Sequence, residues 1–146
     1  MKSAAATSAN FHVVLDTNVL VSALAFPNST VAGVWRLVLT GRYFLVLSPA
    51  ILTETARILR HRFSWDEPDI QHILRALVHR ARLVKPQSLP DAVPDDPDDN
   101  HILACAVAGK ADLIVTGDRD LLRLKTYQDI PIVRPLDFLR TLGFPE

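Results

Sequence analysis

The 146-residue sequence contains a single cysteine, Cys105. One thiol excludes an internal disulfide framework and cannot build a cysteine-based zinc site. The sequence also lacks an excess of charge of either sign, because 16 Lys and Arg residues balance 16 Asp and Glu residues, for a formal net charge of +0. No global basic field therefore attracts nucleic acid, and any contact with a polyanion must come from a local patch.

Long hydrophobic runs are also missing. No stretch reaches the ~18 consecutive apolar residues of a membrane helix, and residues 1–10 lack the apolar run of a signal peptide. Yet 49% of the sequence is hydrophobic, which excludes a disordered chain, and the length is typical of one domain. We therefore expect a cytoplasmic protein without membrane contact, with a flexible tail at residues 1–10 and a single domain at residues 11–146.

Apolar runs alternate with segments of helical periodicity along the sequence. The short apolar runs predict strands at residues 11–15, 43–47, 113–116 and 130–133. Helical spacing and start signals predict helices at residues 19–24, 31–39, 49–60, 68–82 and 99–108, and from residues 118 and 135 onward. A proline-rich, acidic segment at residues 86–97 is predicted to be a surface loop. This alternation is typical of the α/β class, with a central, mainly parallel sheet and helices on its faces.

Two aspartates directly follow predicted strands. Asp16 comes after the apolar run at residues 13–15, and Asp118 comes after the run at residues 113–116, with Gly117 allowing a tight turn between them. In open α/β sheets, ligands bind at the carboxyl ends of the strands. Each aspartate could instead only cap the helix that follows it, a role that Asp fills well.

Two further acids lie on apolar helix faces. Glu54 shares a face with Ile51 and Ile58, and Asp99 shares one with Ile102 and Leu103. A carboxylate on a buried face is unfavourable unless something pairs with it. The alternative for Glu54 is a surface ion pair with Arg57, three residues along the helix. The alternative for Asp99 is simple complementation of the helix dipole, for which Asp98 is the better-placed capping residue.

If these four acids meet in one cleft, they require neutralisation. Two bare carboxylates about 4 Å apart repel by roughly 4 kcal/mol at an effective dielectric constant of about 20. Hard oxygen ligands, without nearby cysteine or a histidine cluster, select Mg²⁺ or Mn²⁺ over zinc. A divalent ion held by acids, with positions left for water and phosphate, is typical of a site that cleaves phosphodiester bonds.

Three motifs in order carry a resemblance to a known family. Residues 14–20 (VLDTNVL) resemble the opening motif of PIN-domain ribonucleases, residues 96–106 (DPDDNHILACA) their third-acid segment, and residues 111–122 (ADLIVTGDRDLL) their closing motif. Residues 132–139 (IVRPLDFL) also fit. The sequence is most similar to the VapC-like group of toxin components of toxin–antitoxin systems.

The resemblance implies a three-layer α/β/α PIN-like domain that acts as a metal-dependent endoribonuclease on single-stranded RNA. One or two Mg²⁺ or Mn²⁺ ions and a small antitoxin protein are the implied cofactor and partner. Four acids match the family's catalytic and metal-binding positions: Asp16, Glu54, Asp99 and Asp118. Three residues match supporting positions: Asn18, Thr116 and Asp120. Asp98 competes with Asp99 for the third acid position, and we prefer Asp99 because its helix face is apolar.

The middle of the sequence is locally basic and supplies candidate RNA contacts. Arg57, Arg60 and Arg62 lie just beyond Glu54, where they could guide phosphates toward the metals, although they could also be solvated surface residues. Apolar helix residues such as Trp35 and Leu74 could form a homodimer face or an antitoxin groove, or belong to the core. The alternative functions are an RNA-processing nuclease outside any toxin system, or a catalytically silent PIN-like domain that binds RNA or protein.

Overall fold

The computed structural model describes residues 11–90, 92–93 and 96–142, so the predicted tail at residues 1–10 lies outside the described residues. The strands are β1 His12–Leu15, β2 Phe44–Leu47, β3 Ala81–Leu83, β4 Leu113–Val115, β5 Thr126–Tyr127 and β6 Ile130–Val133. The helices are α1 Thr17–Ala25, α2 Ala32–Leu39, α3 Pro49–Arg62, α4 Glu67–Arg80, α5 Pro97–Ala108, α6 Arg119–Leu124 and α7 Pro135–Thr141. Within the described ranges, none of these helices combines the length and the apolar character needed to cross a membrane.

All six strands belong to one sheet, in the order β3-β2-β1-β4-β6-β5. Every neighbouring pair is parallel except β5 and β6, which are antiparallel. The chain adds β2 and β3 on one side of β1 and then β4 and β6 on the other side. Because parallel crossovers are right-handed, this reversal places helices on both faces of the sheet. The predicted α/β class with a central, mainly parallel sheet is confirmed.

The central strands β1, β2 and β4 are almost entirely apolar, as is typical of parallel strands that helices cover on both faces. Each of the central strands β1, β2 and β4 contributes consecutive residues with no exposed surface, such as Val13 and Val14, Leu45 and Val46, and Ile114 and Val115. A smaller cluster joins α1, α3 and α4 and contains Val21, Ala56, Ile58, Leu59 and Ile70. The core therefore anchors both the strands and the helix that carries Glu54.

Local signals in the sequence explain several of the helix boundaries. Ser48 caps α3 by accepting a hydrogen bond from the backbone N–H of Ile51 at 3.4 Å, and Pro49 occupies the first helical position. Gly41, just after α2, has a φ of +75°, a conformation that glycine adopts without steric cost. Gly109, at the end of α5, lies so close to β2 that an added Cβ would be 2.6 Å from Cγ1 of Val46.

Two short strands were not predicted. The helix expected to run to Arg82 ends at Arg80, and Ala81–Leu83 forms β3, which pairs in parallel with β2. A three-residue edge strand carries too little periodicity to compete with the helical pattern before it, so its pairing depends on tertiary context. The two-residue strand β5 pairs with β6 across Gln128 and Asp129, whose φ angles of 47° and 67° are typical of a tight hairpin turn.

Candidate metal centre

The candidate site lies at the carboxyl ends of β1 and β4, where the direction of strand addition reverses. Such a switch point opens a crevice in which ligands of α/β proteins bind. Asp16 directly follows β1, and its backbone N–H donates a 2.8 Å hydrogen bond to the carbonyl of Val115 at the end of β4. Thr116 and Asp118 follow β4. The structure therefore brings the first and last predicted acids to the same edge of the sheet.

A hydrogen-bond chain connects these groups. The hydroxyl of Thr116 donates to Oδ2 of Asp16 at 2.6 Å, and the backbone N–H of Asp118 donates to Thr116 Oγ1 at 2.9 Å. Thr116 is fully buried, with 0% of its surface exposed. Because its single hydroxyl contacts both partners, Thr116 fixes the carboxylate of Asp16 relative to the turn that carries Asp118.

Asp118 caps a helix and also faces the acid cluster. Its Oδ2 accepts a hydrogen bond from the backbone N–H of Leu121 at 3.2 Å, which caps α6. One of its carboxylate oxygens also lies within 4.8 Å of carboxylate oxygens of Asp96 and Asp99. Asp118 therefore caps α6, as the alternative from the sequence predicted, and also belongs to the acid cluster.

The other two members of the cluster come from the start of α5. Asp96 caps this helix by accepting from the backbone N–H of Asp98 at 3.2 Å, so the predicted cap Asp98 lies two residues after the observed one. Asp99 is only 5% exposed, and its Oδ2 is buried with no hydrogen-bond partner among the described residues. A buried carboxylate oxygen without a partner is rare in proteins, and a shared proton or a bound cation would account for it.

Burial and mutual repulsion perturb the acids of this cluster. Burial, followed by contact with the Asp118 carboxyl group, raises the pKa of Asp99 to about 8. Burial also raises the pKa of Asp16 above its ordinary value, although the hydrogen bond from Thr116 opposes this shift. Near neutral pH, the cluster therefore retains a proton or needs a cation to replace it.

Glu54 lies apart from this group of three. Its carboxylate is bound by the guanidinium of Arg57, whose Nη2 is 2.6 Å from each carboxylate oxygen, and its side chain is 19% exposed. Partial burial, and then the negative charge of Glu54, raise the pKa of Asp98. The structure therefore associates Asp98 with Glu54, whereas Asp99 lies with Asp118.

The predicted supporting residues differ in position. Thr116 lies at the centre of the site, as described above. Asn18 has an exposed side chain and reaches the site through its backbone N–H, which donates to Oδ1 of Asp16 at 3.4 Å. The carboxylate of Asp120 accepts from Arg123 at 3.3 Å on the surface of α6.

The predicted RNA-contacting arginines of α3 are largely occupied. Arg57 pairs with Glu54, and Arg60 forms an ion pair with Glu67 at the start of α4. Arg62 is exposed and has no ion-pair partner in the part of the chain that the structure describes. Two of these three positive charges are thus compensated within the protein.

The donor set fits a hard divalent cation. The group of described residues that could hold a metal consists of carboxylates alone, Asp96, Asp99 and Asp118, with Asp16 beside them. Burial raises the pKa of the Cys105 thiol to about 12, which removes it as a thiolate ligand. Oxygen ligands of this kind suit Mg²⁺ or Mn²⁺. The unpartnered oxygen of Asp99 is the structural feature that such an ion would satisfy.

Asp96 is the member of the cluster that the sequence interpretation missed. The signal is nevertheless present, because Pro97 at the first helical position marks the preceding residue as the helix cap. The distances among the carboxylates required the structure, since they depend on how α5 packs against the sheet.

The Thr116 hydroxyl offers a direct test of this geometry. We expect Thr116→Val to lower the affinity for Mn²⁺ about 10- to 100-fold, since removal of a group that orients a metal ligand typically has effects of that size. The conservative variant Thr116→Ser keeps the hydroxyl and should recover most of the affinity. Calorimetric titration of Mn²⁺ into both variants, with thermal unfolding as a check on folding, measures the effect. Equal affinities for Thr116→Val and wild type would contradict this role.

An α/β sheet with hard oxygen ligands gathered at its switch point defines a candidate metal-dependent hydrolase. The PIN domain family model matches residues 12–120, and the chain belongs to this family. PIN domains are in general nuclease domains, so membership of the family implies a nuclease as the broad class of enzyme. The predicted family membership is confirmed.

Other proteins are similar to the chain in sequence or in fold. Uncharacterized protein MJ1680 of Methanocaldococcus jannaschii is 32% identical over 117 residues, which cover 77% of this chain and 74% of that protein. VapBC2 from Rickettsia felis, crystallised with a DNA fragment from its promoter, matches with a TM-score of 0.61 at 17% identity, covering 85% of this chain and 98% of that one. PAE2754 from Pyrobaculum aerophilum matches with a TM-score of 0.60 at 14% identity, covering 94% and 92%. At these identities the two structures show a shared fold.

Proposed function

We propose that the chain is a Mg²⁺- or Mn²⁺-dependent endoribonuclease, a single PIN domain over residues 11–146 that cleaves single-stranded RNA. The observation that carries the proposal is the group formed by Asp96, Asp99 and Asp118, whose carboxylate oxygens lie within 4.8 Å of one another beside Asp16. The buried, unpartnered Oδ2 of Asp99 adds a specific reason for a cation at this position.

The chain's own residues divide the work of this site. Asp96, Asp99 and Asp118, with Asp16 beside them, supply the oxygens that hold one or two ions, and Thr116 orients Asp16. Glu54 is the proposed fourth acid, and in the structure its carboxylate is paired with Arg57. When bound, a divalent ion supplies Lewis-acid chemistry that makes water a better nucleophile and stabilises negative charge on the phosphate. No side-chain nucleophile is needed.

Cleavage of RNA with and without metal tests the proposed activity. Wild-type protein should cut a single-stranded RNA bearing a fluorophore and a quencher when Mn²⁺ is present, and excess EDTA should stop the reaction. The Asp16→Asn variant should be inactive under both conditions while unfolding at a temperature close to that of the wild type in EDTA. RNA cleavage that proceeds equally in EDTA, or in Asp16→Asn, would contradict the metal mechanism.

We further propose that the nuclease is the toxin of a toxin–antitoxin pair, acting in the cytoplasm as a homodimer that a small antitoxin neutralises. Its fold is shared with VapBC2 of Rickettsia felis, which supports this role by likeness of fold. Induced expression of the wild type should arrest bacterial growth, and expression of Asp16→Asn should not. Normal growth with abundant, folded wild-type protein would favour an RNA-processing role instead.

A further inference from the structure

We propose that a basic cleft beside the metal centre binds the phosphate groups of the RNA that flank the scissile bond. The cleft lies between α6, β6 and the start of α7, and its volume is about 430 Å³. Its basic lining residues, which define it below, are Arg119, Arg123, Lys125 and Arg134. This inference rests on the proposed nuclease function and names the part of the chain that holds its substrate.

The sheet places this cleft next to the acids. Strand β6 pairs in parallel with β4, and the backbone N–H of Thr116 donates to the carbonyl of Val133 at 2.9 Å. Arg134 follows β6 directly, so it leaves the sheet at the same edge as Thr116, on a strand about 5 Å away. At the other side of the cleft, Arg119 directly follows Asp118. Arg119 and Arg134 therefore lie near the edge of the sheet that carries the carboxylates.

The positive charge of the cleft is poorly compensated. Its one acidic lining residue, Asp137, lies 3.6 Å from Arg140 on α7, and Arg123 pairs with Asp120. The remaining cations Arg119, Lys125 and Arg134 are exposed, and no carboxylate lies within 4.0 Å of them in the described ranges. Three uncompensated charges along one cleft attract a polyanion by direct contact with its phosphates.

This charge distribution differs from that of α3. Arg57 and Arg60 each contact a carboxylate of the protein, so binding RNA there requires breaking an existing ion pair. The basic cleft offers cations without that competition. Arginine suits phosphate because its planar fork donates two parallel hydrogen bonds, and lysine adds a point charge. The ligand class that fits is the sugar-phosphate backbone of single-stranded RNA, recognised without regard to base sequence.

Binding measured without cleavage tests the inference. The Asp99→Asn chain serves as background, and the probe is a fluorescein-labelled single-stranded RNA of about 12 nucleotides, a length within the usual range of single-strand sites. Adding Lys125→Gln and Arg134→Gln should weaken binding about tenfold and reduce the slope of log affinity against log salt by about 1.4, or about 0.7 for each lost contact. The matched control, Arg75→Gln with Arg80→Gln, removes two exposed cations from α4 and should bind like the background chain.

The outcomes separate this inference from the proposed activity. If wild type cleaves RNA but the cleft variant binds RNA with the affinity and salt slope of the control, the cleft inference is wrong and the nuclease function stands. If wild type fails to cleave RNA while the cleft variant loses affinity, the cleft stands and the nuclease proposal is wrong. Thermal unfolding of each variant confirms folding, and the single variant Arg119→Gln, expected to bind more weakly, provides an independent check.

Discussion

The Asp99→Asn variant is expected to cleave single-stranded RNA more than about 100-fold more slowly than wild type in Mn²⁺, because even outer-shell partners of metal sites contribute about 10- to 100-fold. Asn keeps the size of the side chain but removes the negative charge and one of the two carboxylate oxygens. In wild type, Oδ2 of Asp99 is buried and has no hydrogen-bond partner among the described residues, so it is available to a cation. Initial rates on a fluorogenic RNA measure the effect.

The neighbouring Asp98 provides the matched control. The same Asp-to-Asn change can be made one residue away, because Asp98 is exposed and interacts with Glu54 and not with Asp118. We expect Asp98→Asn to retain activity within about threefold of wild type, because Asp98 is exposed and does not belong to the group formed by Asp96, Asp99 and Asp118. A large loss in Asp98→Asn together with full activity in Asp99→Asn would reverse our assignment of the third acid.

The metal-free protein should become less stable as the pH rises, and Asp99→Asn should relieve this loss. The pKa of Asp99 rises from its ordinary value of 3.8 to about 8 in the fold, so folding takes up a proton between these values. When the folded state binds more protons, the free energy of unfolding falls with rising pH. In EDTA, the stability advantage of Asp99→Asn over wild type should therefore grow by about 2–4 kcal/mol from pH 5 to pH 8.

Thermal unfolding in EDTA measures this difference, which should move the relative Tm by about 5–10 °C. The control Asp129→Asn makes the same change at an exposed turn residue outside the acid cluster, with a positive φ that Asn tolerates, and it is compared with wild type at each pH. Addition of Mn²⁺ at pH 8 should raise the Tm of wild type far more than that of Asp99→Asn. A wild-type stability that stays constant across this pH range would contradict the picture of a strained acid cluster.

The strands and the acids at their ends could be predicted because their signals are local. A buried parallel strand must be apolar on both faces, so the runs that include Val13 and Ile114 are visible in the sequence. Asp16 and Asp118 follow such runs directly, and the periodicity of α5 places Asp99 on its buried side. The edge strand at Ala81–Leu83 could not be predicted in this way, since its three residues form a strand only by pairing with β2.

The partners of long side chains were the least predictable part of the site. The Glu54–Arg57 pair follows from the spacing within α3, whereas only the packing of α3 against α4 shows that Arg60 pairs with Glu67. The contribution of Asp96 likewise depends on the approach of the loop before α5 to the end of β4. These contacts join different elements of the chain, and a pattern within one helix carries no information about them.

Calorimetric titration of Mn²⁺ into the protein tests most directly whether carboxylates from separate segments form one cation site. We predict saturable binding of one or two ions by wild type, and an affinity at least about tenfold lower for Asp99→Asn, because a ligand is lost from the site. Wild-type protein that binds no Mn²⁺ in a saturable manner, or an Asp99→Asn variant that binds the ion equally well, would contradict the account.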